Sequence, residues 1–381
     1  MPLSVGKLLR QAQSYLKAGK RTEAKDLNKK GLSKPLKNKN PNSGNQNLQS
    51  KIFPSGQPTS EQINELIAFY NDGEFEKGLL KIKYLLNCFP QAVVLFNLKG
   101  AFNAGLKRHS AAIKSYKMAL ELKPNFSGAY NNMSISQREI GDSKAAIKSA
   151  KQALKIKPDF AEAYLNMGSA QHQENDFFAA IESYKNALKI KPDYADAYNN
   201  MGNAQRDMGD LETAIKSYRK TLKYRPNYAE AYNNIGIAFK DMGNLDQAID
   251  SYMQALKIKP NYAEAHSNMG IALKDKGNLK AAIDSYSQAL KINPKYAKAY
   301  HNMGISQKAK GDLDAALDSY KKALNIEPNY AEVFINIGNI QSDKGNLNSA
   351  IKSYKQALKI KPSYAEAFYN LGIAFKDKGD L

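Results

Sequence analysis

Between residues 93 and 364, apolar and small residues alternate with polar ones in a pattern that repeats every 34 positions. Residues 229–262, AEAYNNIGIAFKDMGNLDQAIDSYMQALKIKPNY, show it well. Positions 4, 7, 8 and 11 of this unit share one helical face, and so do positions 20, 24 and 27. The pattern therefore predicts two amphipathic helices per unit. A glycine at position 15 followed by Asp or Asn (Gly209-Asp210, Gly243-Asn244, Gly277-Asn278) predicts a left-handed end to the first helix and a cap for the second. Nine prolines, Pro90, Pro124, Pro158, Pro192, Pro226, Pro260, Pro294, Pro328 and Pro362, then stop each second helix in strict register. Asp159, Asn227 and Asn261, each just after its proline, are expected to cap the following helix.

Small residues at positions 8, 20 and 27 let the two helices approach closely, and tyrosine at position 24 (Tyr184, Tyr218, Tyr252, Tyr286, Tyr320, Tyr354) fills what remains. The signature resembles the tetratricopeptide repeat, with Tyr or Phe at position 4 where that family often has Trp. That resemblance implies an all-α fold, an α-solenoid in which helical hairpins stack as a right-handed superhelix and each contacts mainly its neighbours. Eight regular units are expected over 93–364, a divergent unit over 59–92 and an incomplete one, a first helix only, over 365–381. Residues 1–38 read as a divergent basic hairpin and 39–58 as a flexible polar linker.

Composition narrows the setting. The single cysteine, Cys88, excludes an intramolecular disulfide framework, no apolar run approaches a membrane span, and no secretory signal opens the chain, so a cytoplasmic protein is expected. The net charge is +20, of which residues 1–58 carry twelve Lys or Arg against Glu23 and Asp26. Only seven of the 56 basic residues are Arg, and the lysines are spread over the second helices. Such a face reads as solvated surface, and nucleic acid is not the expected partner.

The candidate chemistry is recognition. In the resembling family the first helices line the concave wall that usually holds the ligand. Here position 6 is asparagine in unit after unit: Asn132, Asn166, Asn200, Asn234, Asn268, Asn302, Asn336 and Asn370. A carboxamide both donates and accepts, so such a row can pair with a peptide backbone at regular intervals. It can equally bond to the neighbouring helix or stand as exposed polar surface. The same stripe carries acids at position 13 (Asp207, Asp241, Asp275) beside bases at position 12 (Lys240, Lys274, Lys308), which suits a polar groove tolerant of ligand sequence. Acids at position 2 (Glu162, Glu230, Glu264, Glu332, Glu366) have capping-box spacing and are expected to cap helices.

A protein or peptide ligand is the expected partner, bound by a scaffold with no chemistry of its own. No phosphate loop, nucleophile elbow or metal-ligand set is present, the four histidines occupy unlike repeat positions, and no cofactor is expected. The AYNN-G units also resemble the repeat arm of protein O-linked N-acetylglucosamine transferases. That likeness implies an alternative, a substrate-recognition arm whose catalytic domain lies beyond Leu381. The last helix, with Phe368, Leu371 and Phe375, lacks the partner its repeat calls for. A longer protein, or self-association through that end, is expected to cover it.

Overall fold

The computed structural model describes residues 56–379, so the hairpin expected within 1–38 and nearly all of the linker expected at 39–58 lie outside the described residues. Among the described residues there are nineteen α-helices and no strand, which is the all-α solenoid class. They fall into two compact units divided after Pro192.

The first unit contains α1 (Ser60–Asn71), α2 (Phe75–Cys88), α3 (Val93–Gly105), α4 (His109–Leu122), α5 (Ser127–Glu139), α6 (Ser143–Ile156), α7 (Ala161–Gln173) and α8 (Phe177–Ile190). The second contains α9 (Ala195–Asp207), α10 (Leu211–Tyr224), α11 (Ala229–Asp241), α12 (Leu245–Ile258), α13 (Ala263–Asp275), α14 (Leu279–Ile292), α15 (Ala297–Ala309), α16 (Leu313–Ile326), α17 (Ala331–Asp343), α18 (Leu347–Ile360) and α19 (Ala365–Lys378). Odd-numbered helices are the first of each repeat and even-numbered ones the second. Within each unit an odd helix packs against the even helix that follows it, and that helix packs against the next odd one.

Two features close each hairpin. Tyr218, Tyr252, Tyr286 and Tyr320 are fully buried, each ring lying on the glycine sixteen residues earlier. Burying one such ring contributes on the order of 3 kcal/mol. The exception confirms the geometry: in α5 and α6 the glycine is replaced by Ser134 and the tyrosine by Ala150, both buried, so the larger residue on one helix is traded against the smaller on the other. Alanines at positions 20 and 27 (Ala248 and Ala255, for example) are fully buried between the helices. The exception there, Thr221, satisfies its buried hydroxyl by donating toward the carbonyls of Ala195 and Ser217.

The turn between helices follows the expected chemistry. Gly209, Gly243 and Gly277 have φ of 87°, 80° and 85°. Asp142, Asp176, Asp210 and Asn278 accept from the backbone N–H three residues on, although Asn244 makes no such bond. Lys107 and Asn175 take the same left-handed conformation without glycine.

The cap expected after the proline is not there. The residues that precede the odd helices are Phe160, Tyr228, Tyr262, Tyr330 and Tyr364, one position later than Asp159, Asn227, Asn261, Asn329 and Ser363, and no side chain caps these helices. The position 2 acids accordingly form no capping box. Those whose partners are resolved tie the start of one helix to the end of its hairpin: Glu230 accepts from Lys259 at 3.1 Å and Asp196 from Arg225 at 2.9 Å. The same cations lie over the aromatic rings that begin the next helix, Arg225 4.8 Å from the Tyr228 centroid and Lys259 4.4 Å from Tyr262. Part-exposed ion pairs contribute about 0–1 kcal/mol each, so these contacts fix the angle of entry more than they hold the fold.

Candidate functional site

Every position 6 asparagine lies half-buried on an odd helix. The structure shows what one end of that side chain does. Asn166 Nδ2 donates to Asn131 Oδ1 at 2.8 Å, Asn268 to Asn233 at 3.0 Å, Asn234 to Asn199 at 3.2 Å and Asn132 to Asn97 at 3.4 Å. Each acceptor is a buried asparagine at position 5 of the preceding repeat. Within each unit, such rungs join adjacent odd helices through residues 35 apart in sequence.

Departures from asparagine at position 5 have visible consequences. Where that residue is His301, Asn336 meets its Nε2 at 2.8 Å. Where it is Ile335, Asn370 turns to Asn339 Oδ1 at 2.9 Å, at position 9. Where it is the shorter Ser267, Asn302 Nδ2 is buried without a partner. Asn200 accepts a long bond from its own neighbour Asn199.

In Asn132, Asn166, Asn234 and Asn268 the donor end is therefore committed to the fold, while Oδ1 accepts no bond within the described residues. Fixing Nδ2 fixes the orientation of the whole carboxamide. Within each unit these residues present acceptors with fixed orientation; Asn268 keeps one N–H beside its acceptor, whereas Asn234 spends both, on Asn199 and on Asn203 at 3.1 Å.

The charged residues of the stripe pair among themselves. Arg206 lies 2.9 Å from Asp207, Lys240 2.8 Å from Asp241 and Lys274 3.0 Å from Asp275. Lys308 reaches across to Asp343 of the next repeat at 3.6 Å. In the first unit Arg138 hydrogen-bonds Glu139, and that bond, with the guanidinium charge, holds the Glu139 carboxyl below its usual range. These side chains flank the asparagines as neutral pairs.

Behind the row runs a second set of contacts that sequence reasoning missed. Position 11 glutamines accept from position 23 serines: Ser149 to Gln137 at 2.7 Å, Ser217 to Gln205 at 2.6 Å, Ser319 to Gln307 at 2.7 Å. Position 9 does the same for the buried tyrosines, with Tyr218 donating to Asn203 and Tyr354 to Asn339, both at 2.8 Å. The available signal was the joint occurrence of Gln with Ser twelve residues later, and of Asn-Asn doublets one period apart.

Among the described residues, no group of three or more His, Cys, Asp or Glu is placed to hold a metal, and no helix is long and apolar enough to cross a membrane.

Seven overlapping segments, 137–175, 170–209, 202–243, 238–277, 272–311, 306–345 and 338–379, match the TPR repeat family. The chain belongs to the TPR repeat family. Among curated relatives, the peroxisomal targeting signal receptor of Candida albicans is 36% identical over 75 residues, which are 20% of this chain and 13% of that protein. The chain thus spans about an eighth of the length of that receptor. Among solved TPR-like structures, the APC/C hetero-tetramer Cut9-Hcn1 has a TM-score of 0.54 at 18% identity, covering 82% of this chain and 62% of that one. A tetratricopeptide repeat protein from Parabacteroides merdae has a TM-score of 0.51, also at 18% identity, covering 65% of this chain and 98% of that one. Both likenesses concern the TPR fold.

Proposed function

We propose that this TPR chain is an interaction scaffold that holds extended peptide or protein segments along the asparagine-bearing face of its odd helices, with no chemistry of its own. The observation that carries this reading is the set of carboxamides, Asn132, Asn166, Asn234 and Asn268, whose donor ends are tied down and whose acceptors take no bond within the described residues. TPR arrays present long binding surfaces of this kind, in keeping with the general role of the family in protein–protein interaction. Four such contacts at about 1 kcal/mol each give roughly 4 kcal/mol, against association costs of about 4–15 kcal/mol. Side-chain contacts must therefore supply the remaining affinity.

Because Asn→Ala also removes a rung, the test needs a control. In Asn234→Ala/Asn268→Ala both rung and acceptor are lost, whereas Asn199→Ser/Asn233→Ser weakens the same rungs and keeps both position 6 side chains. On an immobilised array of unrelated 15-residue peptides, the first variant is expected to lose tenfold or more in affinity relative to the second. Equal retention of wild-type binding by both variants refutes the reading.

The AYNN-G units support a second reading, in which this face presents substrates to a protein glycosyltransferase domain in the same polypeptide. The intact mass of the protein from its native source separates the two. A value near 42.3 kDa leaves a free-standing scaffold, and a larger one, sequenced, shows what is attached.

A further inference from the structure

Position 9 of the odd helices shares a stripe with the asparagines, and in three consecutive repeats it is Ile237, Ile271 and Ile305, all half-buried. The repeats on either side carry Asn203 and Asn339 there, and those asparagines accept from the hydroxyls of Tyr218 and Tyr354. The isoleucines cannot. Beside them the hydroxyls of Tyr252 and Tyr320 are buried with no partner, and that of Tyr286 has only the Ser306 side chain beside it. Ile237 and Ile305 pack against the cores around Tyr252 and Tyr320, yet they leave each hydroxyl without the acceptor that asparagine provides in the flanking repeats. A run of three hydroxyls unsatisfied by position 9 calls for a reason beyond that packing.

From this we infer that Ile237, Ile271 and Ile305 form an apolar ladder that selects ligands with an apolar side chain at every third residue, in polyproline II conformation. The inference rests on the peptide-holding reading above and specifies its ligand. Adjacent odd helices here are in direct contact, Asn268 bonding Asn233 at 3.0 Å, and helices so packed lie about 8–10 Å apart. A polyproline II chain brings every third side chain back to the same side after about 9 Å. A β-strand does so every second residue, after about 7 Å, and falls out of step. A helical ligand has already spent its backbone N–H groups internally, whereas polyproline II leaves them for the unbonded acceptors of Asn234 and Asn268. The flanking Lys240–Asp241 and Lys274–Asp275 pairs are self-neutralised and select no charge.

The test uses the full chain and three fluorescent twelve-residue peptides: Leu-Pro-Ser repeated four times, Leu-Ser repeated six times, and Ser-Pro-Ser repeated four times. The first is expected to bind at least tenfold tighter than the others. The triple variant Ile237→Asn/Ile271→Asn/Ile305→Asn is expected to lose that preference with a melting temperature unchanged or higher, because each new carboxamide gives a tyrosine hydroxyl its partner. Ile271→Asn alone, in the middle of the row, is expected to cost at least threefold, and the triple valine variant to bind as wild type does. Indifference to spacing, or no loss on either asparagine variant, overturns the ladder while leaving peptide binding intact. No binding by any of the three peptides, with array peptides still captured, also overturns the ladder alone. Failure to bind either the three peptides or the array overturns both readings.

Discussion

Cε1 of Tyr218 lies 2.6 Å from the point where a Cβ on Gly202 would stand. The two helices of the hairpin meet through that contact, and the neighbouring hairpins repeat it. Gly202→Ala is expected to cost about 1–3 kcal/mol through overpacking, and Tyr218→Ala about 3–5 kcal/mol through the cavity it leaves. Combined, they should cost less than the sum by at least 1 kcal/mol, since Ser134 and Ala150 already coexist in this arrangement. Urea denaturation of the four proteins in a double-mutant cycle gives the coupling directly.

Removing one oxygen from equivalent tyrosines should have opposite effects. Tyr218→Phe discards a 2.8 Å bond to Asn203 and is expected to lower stability by about 1 kcal/mol. Tyr252→Phe discards a buried hydroxyl that has no partner and is expected to be neutral or to stabilise by about 1 kcal/mol. Thermal melts of the two single variants suffice to compare them.

His301 makes one rung sensitive to acid. Burial pushes its imidazole down to about 4 from the ordinary 6.5, with Glu332 pulling upward and Lys298 downward by smaller amounts. The neutral ring accepts from Asn336 at Nε2, so its remaining proton is on Nδ1, facing the Tyr330 hydroxyl at 3.0 Å. Between pH 6.5 and 4 the unfolded chain binds a proton that the folded chain excludes. The contribution is therefore complete above pH 6.5 and is lost as pH falls toward 4. The loss is expected to reach on the order of 2 kcal/mol by pH 5. His301→Asn, which restores the usual rung, should narrow the difference between urea midpoints measured at pH 7 and pH 5.

Lys107 occupies a left-handed turn, φ 62°, where most other repeats have glycine. Lys107→Gly is expected to raise stability by about 0.5–1 kcal/mol, and Asn175→Gly by less, because asparagine tolerates that conformation better. A shift in denaturation midpoint at constant slope would show it.

The hairpins, their glycine turns and the tyrosine–glycine contacts were legible in the sequence because each depends on residues within one 34-residue period. The start of the odd helices was misread for a local reason. Asp159 and Asn227 are good capping residues in the right neighbourhood, yet the helices start one residue later, after Phe160 and Tyr228, whose rings lie under Lys157 and Arg225. The asparagine row was visible as a row, with a bond to the neighbouring helix among its readings, but the residue that would accept each bond was not. Asn234 and Asn199 become partners only when two hairpins stand side by side, and no pattern within one helix announces it. The position 9 isoleucines read as ordinary helix residues until the hydroxyls of Tyr252 and Tyr320 were seen without acceptors.

The 35-residue step of the rungs also makes the molecule editable in whole periods. Excising 229–262 would join Tyr228 to Ala263 and bring Asn268 to Asn199, an acceptor of the same kind as the Asn233 it lost. Duplication works the same way in reverse. Reach, in such a chain, is inherited as a number of copies, and a lineage can lengthen or shorten its grip by unequal recombination with no new contact to invent.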